Sequence, residues 1–217
     1  MGGQVRIRSQ LYAALAYAFR KPEELAEDKE ESLAQMLQRA ATALDAQALG
    51  PMADALIRSL EIPETQAEQA LCTLEIEYNR LFVGPGRLQA PPYESVYRDS
   101  RGLVMGPTAR DVERRYAEAG LALAPDHHDL PDHVATELGF MAYLAMRETE
   151  AQGEEALAWL NTQREFLQDH LTVWLPRFCQ RVREVSRHPF YAALAGLTST
   201  FVNLDVQWIK AHYPIQT

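Results

Sequence analysis

The chain has 217 residues, of which 47% are hydrophobic and 24% charged, and its formal net charge is -9. This composition is close to that of soluble globular proteins and the length suffices for one sizeable core, which excludes a largely disordered chain. The acidity and the lack of a basic stripe disfavour nucleic acid as a partner, whereas a basic peptide would be attracted.

The first residues, MGGQVRIRSQLYAALAYAF, lack the apolar core of a signal peptide, and no segment approaches the ~20 apolar residues of a membrane span. We therefore expect a cytoplasmic protein without stable membrane insertion. Cys72 and Cys179 both fall in helical patterns and have no ligand-like spacing. Both are predicted to be buried, unreactive thiols.

Apolar residues recur with helical periodicity along most of the chain, and strand-like alternation is almost absent. Lys21-Pro22, Gly50-Pro51 and Pro63 mark boundaries between the first predicted helices. The apolar stripes of the first four helices are Ile7 to Phe19, Leu33 to Leu44, Met52 to Leu60, and Ala67 to Phe82.

The stretch from Val83 to Pro107 breaks this pattern, with four Gly, four Pro and no helical period. A connection of this length inside a compact domain is usually functional or disordered, and aromatic residues such as Tyr93 and Tyr97 argue against disorder. We expect an ordered loop that wraps on the helices.

A fifth helix is predicted to begin at Pro107 and to be ended by Gly120, since proline suits a first turn and glycine a C-terminal cap. The segment DHHDLPDH follows, and then a helix with its apolar stripe from Val134 to Ala145. Asp129 is expected to be the N-cap of that helix, with Pro131 and Asp132 in its first turn.

The last third of the chain predicts three more helices. Their apolar stripes are Ala156 to Leu167, Leu171 to Val182, and Tyr191 to Trp208 after Pro189. Pro176 should mark a helix start or a kink. The expected fold class is therefore all-α, a single globular helical bundle spanning residues 1–217.

The density of His and Asp at residues 126–133 suggests a metal site, and an all-α metal-dependent hydrolase is the alternative function. Its ligands would be Asp126, His127, His128, Asp132 and His133. The pair His128-Asp129 resembles the HD phosphohydrolases, but these need a further histidine upstream, and none precedes His127. Glu137 shares a helix face with His133, and for Glu137 a structural role is favoured.

Other catalytic patterns are weaker. Ser95 is not part of a GxSxG elbow, and the GPG at residues 84–86 lacks the Lys and Ser/Thr of a phosphate-binding loop. No motif for nucleotide binding is present. The glycines of the GPG favour turns instead.

Three segments together resemble one family: EYNRLFVGPG (77–86), APPYESVY (90–97) and LPDHVATELGFM (130–141). They are similar to the signature segments of the TorD/DmsD/NarJ family, the cytoplasmic maturation chaperones of molybdenum oxidoreductases. The resemblance implies a TorD-like all-α fold, no catalytic residues, and no cofactor or metal. The implied partner is the apo catalytic subunit of a molybdopterin-guanine-dinucleotide oxidoreductase, with its twin-arginine leader.

The resemblance also implies a surface that binds the signal peptide or the client. By position, its residues would be Tyr78, Leu81, Phe82, Pro91, Pro92, Tyr93, Glu94, Ser95, Asp132 and His133. Some relatives have Trp in place of Tyr93 and a small residue in place of Glu94, so the peptide preference stays open. So do the identity of the client, its export, and the choice between a monomer and a domain-exchanged dimer.

The chemistry of these residues suits a basic and apolar peptide. The two prolines stiffen the loop that presents the ring of Tyr93, and Glu94 and Asp132 can accept arginine. His133 could bond to the loop backbone or to the peptide. Equally, Tyr93 could serve packing alone and Asp132 could act only on its own helix terminus.

Overall fold

The computed structural model describes residues 2–25, 33–60, 65, 67–85, 88–99, 104–125 and 129–212, and within them every regular element is helical. This confirms the all-α prediction. The first half contains α1 (Gly2–Ala18), α2 (Pro22–Leu25), α3 (Leu33–Asp45), α4 (Gly50–Arg58), α5 (Ala67–Tyr78) and α6 (Glu94–Arg98). The second half contains α7 (Pro107–Glu118), α8 (Val134–Glu150), α9 (Gly153–Phe166), α10 (Thr172–Val185) and α11 (Pro189–His212).

Proline and glycine set several helix ends where the sequence places them. Pro107 occupies the first turn of α7 after the extended Gly106. Beyond its other end Gly120 adopts a φ of 79°, and the backbone N–H of Leu121 donates to the carbonyl of Tyr116 at 2.9 Å. A glycine in the left-handed region is the usual way to close a helix in this manner, so these predictions are confirmed.

Four details differ from the sequence-based predictions. The Pro/Gly-rich stretch contains the short helix α6, and π-helical turns continue α5 over Asn79–Val83 and join α9 to α10 over Leu167–Leu171. Pro176 lies inside α10, so it does not mark the start of that helix, and the predicted kink stays a prediction. Cys72 is exposed, so its predicted burial is wrong, whereas Cys179 is buried as predicted. Helical periodicity alone does not say which face of α5 meets the core.

The long helix α8 lies at the centre of the fold. It packs along α1 and against α9, while α10 packs on α11. Small buried side chains on both helices, such as Ala14 and Ala145, permit a close approach of α1 and α8. The hydroxyl of Ser9 donates to the carbonyl of Ala142 at 2.8 Å and links the two.

A buried polar cluster lies near the C-terminal end of α8. The Arg8 guanidinium, 1% exposed, donates to both carboxylate oxygens of Asp205, to Gln163 at 2.9 Å and to Glu148 at 3.4 Å. Tyr12 donates to Asp205 at 2.8 Å. Arg8 also lines a cavity of about 330 Å³ together with Leu44, Phe201 and Trp208, among others. No helix in the described part of the chain is both long and apolar enough to cross a membrane.

Candidate functional site

The Pro-rich loop is joined to the start of α8 by backbone pairing. Tyr93 and His133 form an isolated antiparallel β-bridge. The N–H of Glu94 donates to the carbonyl of Asp132 at 3.0 Å, and the N–H of Val134 donates to that of Pro92 at 2.9 Å. The loop and the residues before α8 are therefore held in one register, although they are about forty positions apart in the sequence.

Asp132 stabilises a helix other than the one it precedes. Its Oδ2 accepts from the backbone N–H of Ser95 at 2.8 Å, in the first turn of α6, while the side chain is 0% exposed. A carboxylate at this position satisfies a free amide and interacts favourably with the helix dipole. Asp132 thus neither lies in the first turn of α8 nor acts on its own helix terminus.

His133, not Asp129, is the N-cap of α8. Its Nδ1 accepts from the N–H of Ala135 at 3.2 Å, and its φ of -75° and ψ of 140° are extended. The prediction of Asp129 as the cap, with Pro131 and Asp132 in the first turn, is wrong because residues 131 and 132 form a separate turn and the β-bridge holds His133 itself extended, so that the helix begins only at Val134. Asp129 instead lies 3.7 Å from the same Nδ1.

Tyr93 is the half-exposed aromatic ring of the site. It meets the His133 ring edge to face at 5.4 Å between centroids. Burial raises the pKa of the Tyr93 hydroxyl, and the charges of Asp129 and Asp132 raise it further. Tyr93 therefore stays neutral and offers a flat ring beside acidic groups.

The other predicted residues are divided between the loop and the core. Pro91 is half-buried, and Pro92, Glu94 and Ser95 are buried. Tyr78, Leu81 and Phe82 are also buried, at 5%, 0% and 3% exposure, so they do not form part of the surface. Phe82 packs on Phe178 and Tyr191, and the carbonyl of Leu81 accepts from the N–H of Ala90.

Beneath α6 the structure joins Glu94 of the predicted site to polar residues that the sequence analysis did not assign to it. Oε2 of Glu94 lies 2.9 Å from Nδ1 of His170, and Oε1 accepts from Arg98 at 2.6 Å. Glu137 accepts from the indole N–H of Trp174 at 2.9 Å. All of these except Arg98 are buried, and they come from α6, α8, the turn at residues 167–171 and α10.

Burial and neighbouring charge act strongly on Glu137. Both raise the pKa of Glu137 well above its usual range, burial most and the charge of Glu94 next. The hydroxyl of Tyr116, which donates to the carbonyl of Pro131 at 2.8 Å, likewise has a pKa raised by burial and by these carboxyls. The structural role favoured for Glu137 thus includes a buried hydrogen bond that ties α8 to Trp174 of α10.

The proposed metal ligands are only partly described. Asp126, His127 and His128 lie outside the described residues. Asp132 and His133 use an oxygen and a nitrogen in capping bonds. Among the described residues, no group of three or more His, Cys, Asp or Glu side chains is arranged to hold a metal ion.

Comparison with known proteins places the chain beside a family of chaperones. The sequence profile described as "Nitrate reductase delta subunit" matches residues 22–180. The chaperone protein TorD of Vibrio atlanticus is 31% identical over 162 residues, covering 74% of this chain and 75% of the relative, and TorD of Aliivibrio fischeri matches equally well.

The fold also has a counterpart among solved structures. A protein of Archaeoglobus fulgidus, described as a redox enzyme maturation protein, superposes with a TM-score of 0.54 at 18% identity, covering 89% of this chain and 92% of the other. These matches confirm the resemblance inferred from the segments at 77–86, 90–97 and 130–141. The names of the TorD relatives confirm the prediction of a chaperone rather than an enzyme.

Proposed function

Because the chain belongs to the nitrate reductase delta subunit family, and is a chaperone related to TorD, we propose that it matures a molybdenum oxidoreductase in the cytoplasm. It would bind the apo catalytic subunit of a molybdopterin-guanine-dinucleotide enzyme, together with its twin-arginine signal peptide. Binding would last until the cofactor is inserted, and the client would then be released for export.

The observation that carries this proposal is the junction of the Pro-rich loop with the start of α8. There the half-exposed ring of Tyr93 lies against His133, and the carboxylate of the preceding Asp132 accepts from Ser95. An aromatic ring offers a low-entropy contact for an apolar peptide segment, and a carboxylate is a good partner for a guanidinium. A twin-arginine leader carries both chemical groups side by side.

Charge supports the same ligand. The chain carries a formal net charge of -9, which attracts a positively charged peptide over distance and speeds encounter. Oδ1 of Asp132 is buried and has no hydrogen-bond partner in the described part of the chain, so it can accept a donor that reaches it once the Pro-rich loop moves aside. An arginine of the leader would supply one.

The proposal is tested by recovering the tagged protein from its host under non-denaturing conditions and identifying the bound chains by mass spectrometry. A molybdoenzyme catalytic subunit with its leader still attached is the expected partner. It should be lost from Tyr93→Ala and Asp132→Ala.

A matched control is Tyr143→Ala, since Tyr143 is also half-buried. It lies ten residues beyond His133 along α8, which places it about 15 Å from His133. This variant should keep the client. Recovery of background proteins alone, with zinc or manganese that survives dialysis and is lost on His128→Ala, would contradict the chaperone and favour the metal-dependent hydrolase.

A further inference from the structure

One face of α10 is turned toward the Pro-rich loop and the short helix α6. The face consists of Trp174, Arg177, Phe178 and Arg181, whose spacing of three and four residues places them on one side of a helix. The rings of Trp174 and Phe178 pack on the ring of Tyr97, with centroids 5.6 and 6.2 Å away. The two aromatic rings thus anchor α6 on α10, and the two arginines lie in the same row.

Both arginines of this face donate to backbone carbonyls of the loop region. Nη1 of Arg177 donates to the carbonyl of Tyr97 at 2.7 Å, and Nε of Arg181 donates to the carbonyl of Gln89 at 2.8 Å. In the sequence these carbonyls lie on either side of the Pro-Pro-Tyr segment at 91–93. The segment that carries the half-exposed tyrosine ring is therefore held at both ends by one helix.

The local sequence explains why these carbonyls take donors from outside the loop. Proline has no backbone N–H, so the segment at 91–93 offers few amides to the carbonyls around it. Tyr97 lies in the last turn of α6, where carbonyls lack partners within the helix. A guanidinium on a neighbouring helix supplies the donor that the backbone cannot.

Two further arginines make the same kind of bond in the opposite direction. Arg98 of α6 donates to the carbonyl of Asp169 at 2.6 Å. Arg80, in the π-helical turn before the loop, donates at 2.6 Å to the carbonyl of Val185 at the end of α10. The four bonds join the loop and its flanking turns to the π-helical turn at 167–171 and to α10.

We propose that this face of α10 is a clamp that fixes the position of the Tyr93 ring for client binding, with Arg177 and Arg181 as positioning residues. A segment held at both ends presents its ring already ordered, whereas a loosened segment must be ordered when the peptide binds, which lowers affinity. The client rests on the function proposed above, but the clamp does not.

The clamp leaves the acidic part of the site accessible. The bonds of α10 end on Gln89 and Tyr97, and the N–H that covers Asp132 belongs to Ser95, between them. A shift of this intervening segment that uncovers the Asp132 carboxylate therefore requires neither bond to break. The two attachments limit how far the segment can depart from its position.

The sign of the effect on affinity separates positioning from charge. The proposed leader is basic, so a cation on the chaperone repels it, and loss of that cation alone should strengthen binding slightly. Positioning has the opposite consequence. Arg177→Met and Arg181→Met keep an apolar stem but lose the donor to the loop, so their affinity for the leader should fall.

Hydrogen exchange of the client-free protein tests the clamp without a ligand. The amides of Glu94 and Val134 report on the loop, because they form the two backbone bonds between the loop and the start of α8. Their protection should fall about three- to tenfold in Arg177→Met and Arg181→Met, while amides in the middle of α8 keep theirs. Unchanged protection at both amides, or an equal loss throughout the protein, would overturn the clamp.

Arg183→Met is the matched control. Arg183 is an exposed arginine on the same helix, and no hydrogen bond joins it to the loop in the part of the chain that the structure describes. The variant removes the same charge, so loop protection should stay at the level of the unchanged protein and affinity should not fall. A loss as large as that of Arg177→Met would show that the charge of α10 is responsible, and would overturn the proposal.

Titration calorimetry with the leader peptide of the recovered client connects the clamp with binding. Affinity should fall about three- to tenfold in Arg177→Met and Arg181→Met, and Arg181→Lys should restore part of it, since lysine keeps a donor for the Gln89 carbonyl. Unchanged or higher affinity in both Met variants would overturn the positioning role. Absence of binding by the unchanged protein, with the exchange result as expected, would contradict the proposed function and leave the clamp supported.

Discussion

At the scale of single residues, Asp132 has a structural role beside the binding role proposed for it. It accepts from Ser95 in the first turn of α6, so Asp132→Ala should cost about 1 kcal/mol, as expected for the loss of a helix cap. For a chain of this size the melting temperature should fall by roughly 2–4 °C in scanning calorimetry. Asp132→Asn retains an acceptor and should lose less stability.

The same pair of variants separates the two roles. Asparagine has no charge, so Asp132→Asn should weaken binding of an arginine-containing leader nearly as much as Asp132→Ala. Affinity would be measured by calorimetry beside the melting temperatures. Equal stability losses in the two variants would refute the capping role, and unchanged leader affinity in both would refute the binding role.

At the scale of elements, two glycines on successive helices should respond to alanine in opposite directions. Gly120 ends α7 with a φ of 79°, which L-residues rarely adopt, so Gly120→Ala should cost about 1 kcal/mol. Gly139 lies within α8, and a Cβ there would meet nothing within 4 Å. Gly139→Ala should therefore stabilise the protein by roughly 0.5–1 kcal/mol. Urea unfolding of both variants measures these changes, and a shift of the same sign in both would contradict the helix boundaries.

At the scale of the whole molecule, the buried hydroxyls and thiol make stability fall at alkaline pH. Burial raises the pKa of Tyr12, Tyr116, Tyr191 and Cys179. The folded protein keeps these protons after the unfolded chain has released them, so the stabilisation present below the unfolded pKa is lost as the pH rises through the folded pKa. Each group contributes a slope of about 1.4 kcal/mol per pH unit.

Tyr191→Phe should remove the contribution of one hydroxyl to the pH dependence of the free energy of unfolding. Its hydroxyl makes only a 3.3 Å bond to the carbonyl of Leu74, while its ring contacts with Phe82 and Phe190 would be kept. Urea unfolding monitored by circular dichroism should show a nearly unchanged free energy of unfolding at neutral pH. Above about pH 10, its decrease with pH should be smaller by about 1.4 kcal/mol per pH unit. An unchanged slope would show that ionisation of the Tyr191 hydroxyl does not contribute to the loss of stability at alkaline pH.

The helices could be predicted because their signals are local. Apolar spacing located α1, α8 and α11, and Pro107 and Gly120 located the ends of α7, since each acts within a turn or two. The start of α8 could not be placed, because the pairing of His133 with Tyr93 overrides the capping preference of Asp129. Similarly, the exposure of Cys72 depends on which side of α5 meets its neighbours.

The site was predictable only where its chemistry lies in short motifs. Tyr93, Asp132 and His133 stand in segments that resemble the family, and the structure brings these three together. The contact of Glu94 with His170 joins residues 76 positions apart, and no local sequence pattern predicts it. A single histidine in a helical pattern has no spacing from which its distant carboxyl partner can be inferred.

The bridge between Tyr93 and His133, and the buried bonds of Glu94 to His170 and of Glu137 to Trp174, mean that the site can only be completed late in synthesis. Its parts come from residues 93–95, 132–137 and 170–174, which leave the ribosome at well-separated times. N-terminal segments can begin to fold earlier, but the partners of Glu94 and Glu137 arrive only once Trp174 has emerged. A nascent chain therefore cannot complete this site until translation has passed Trp174.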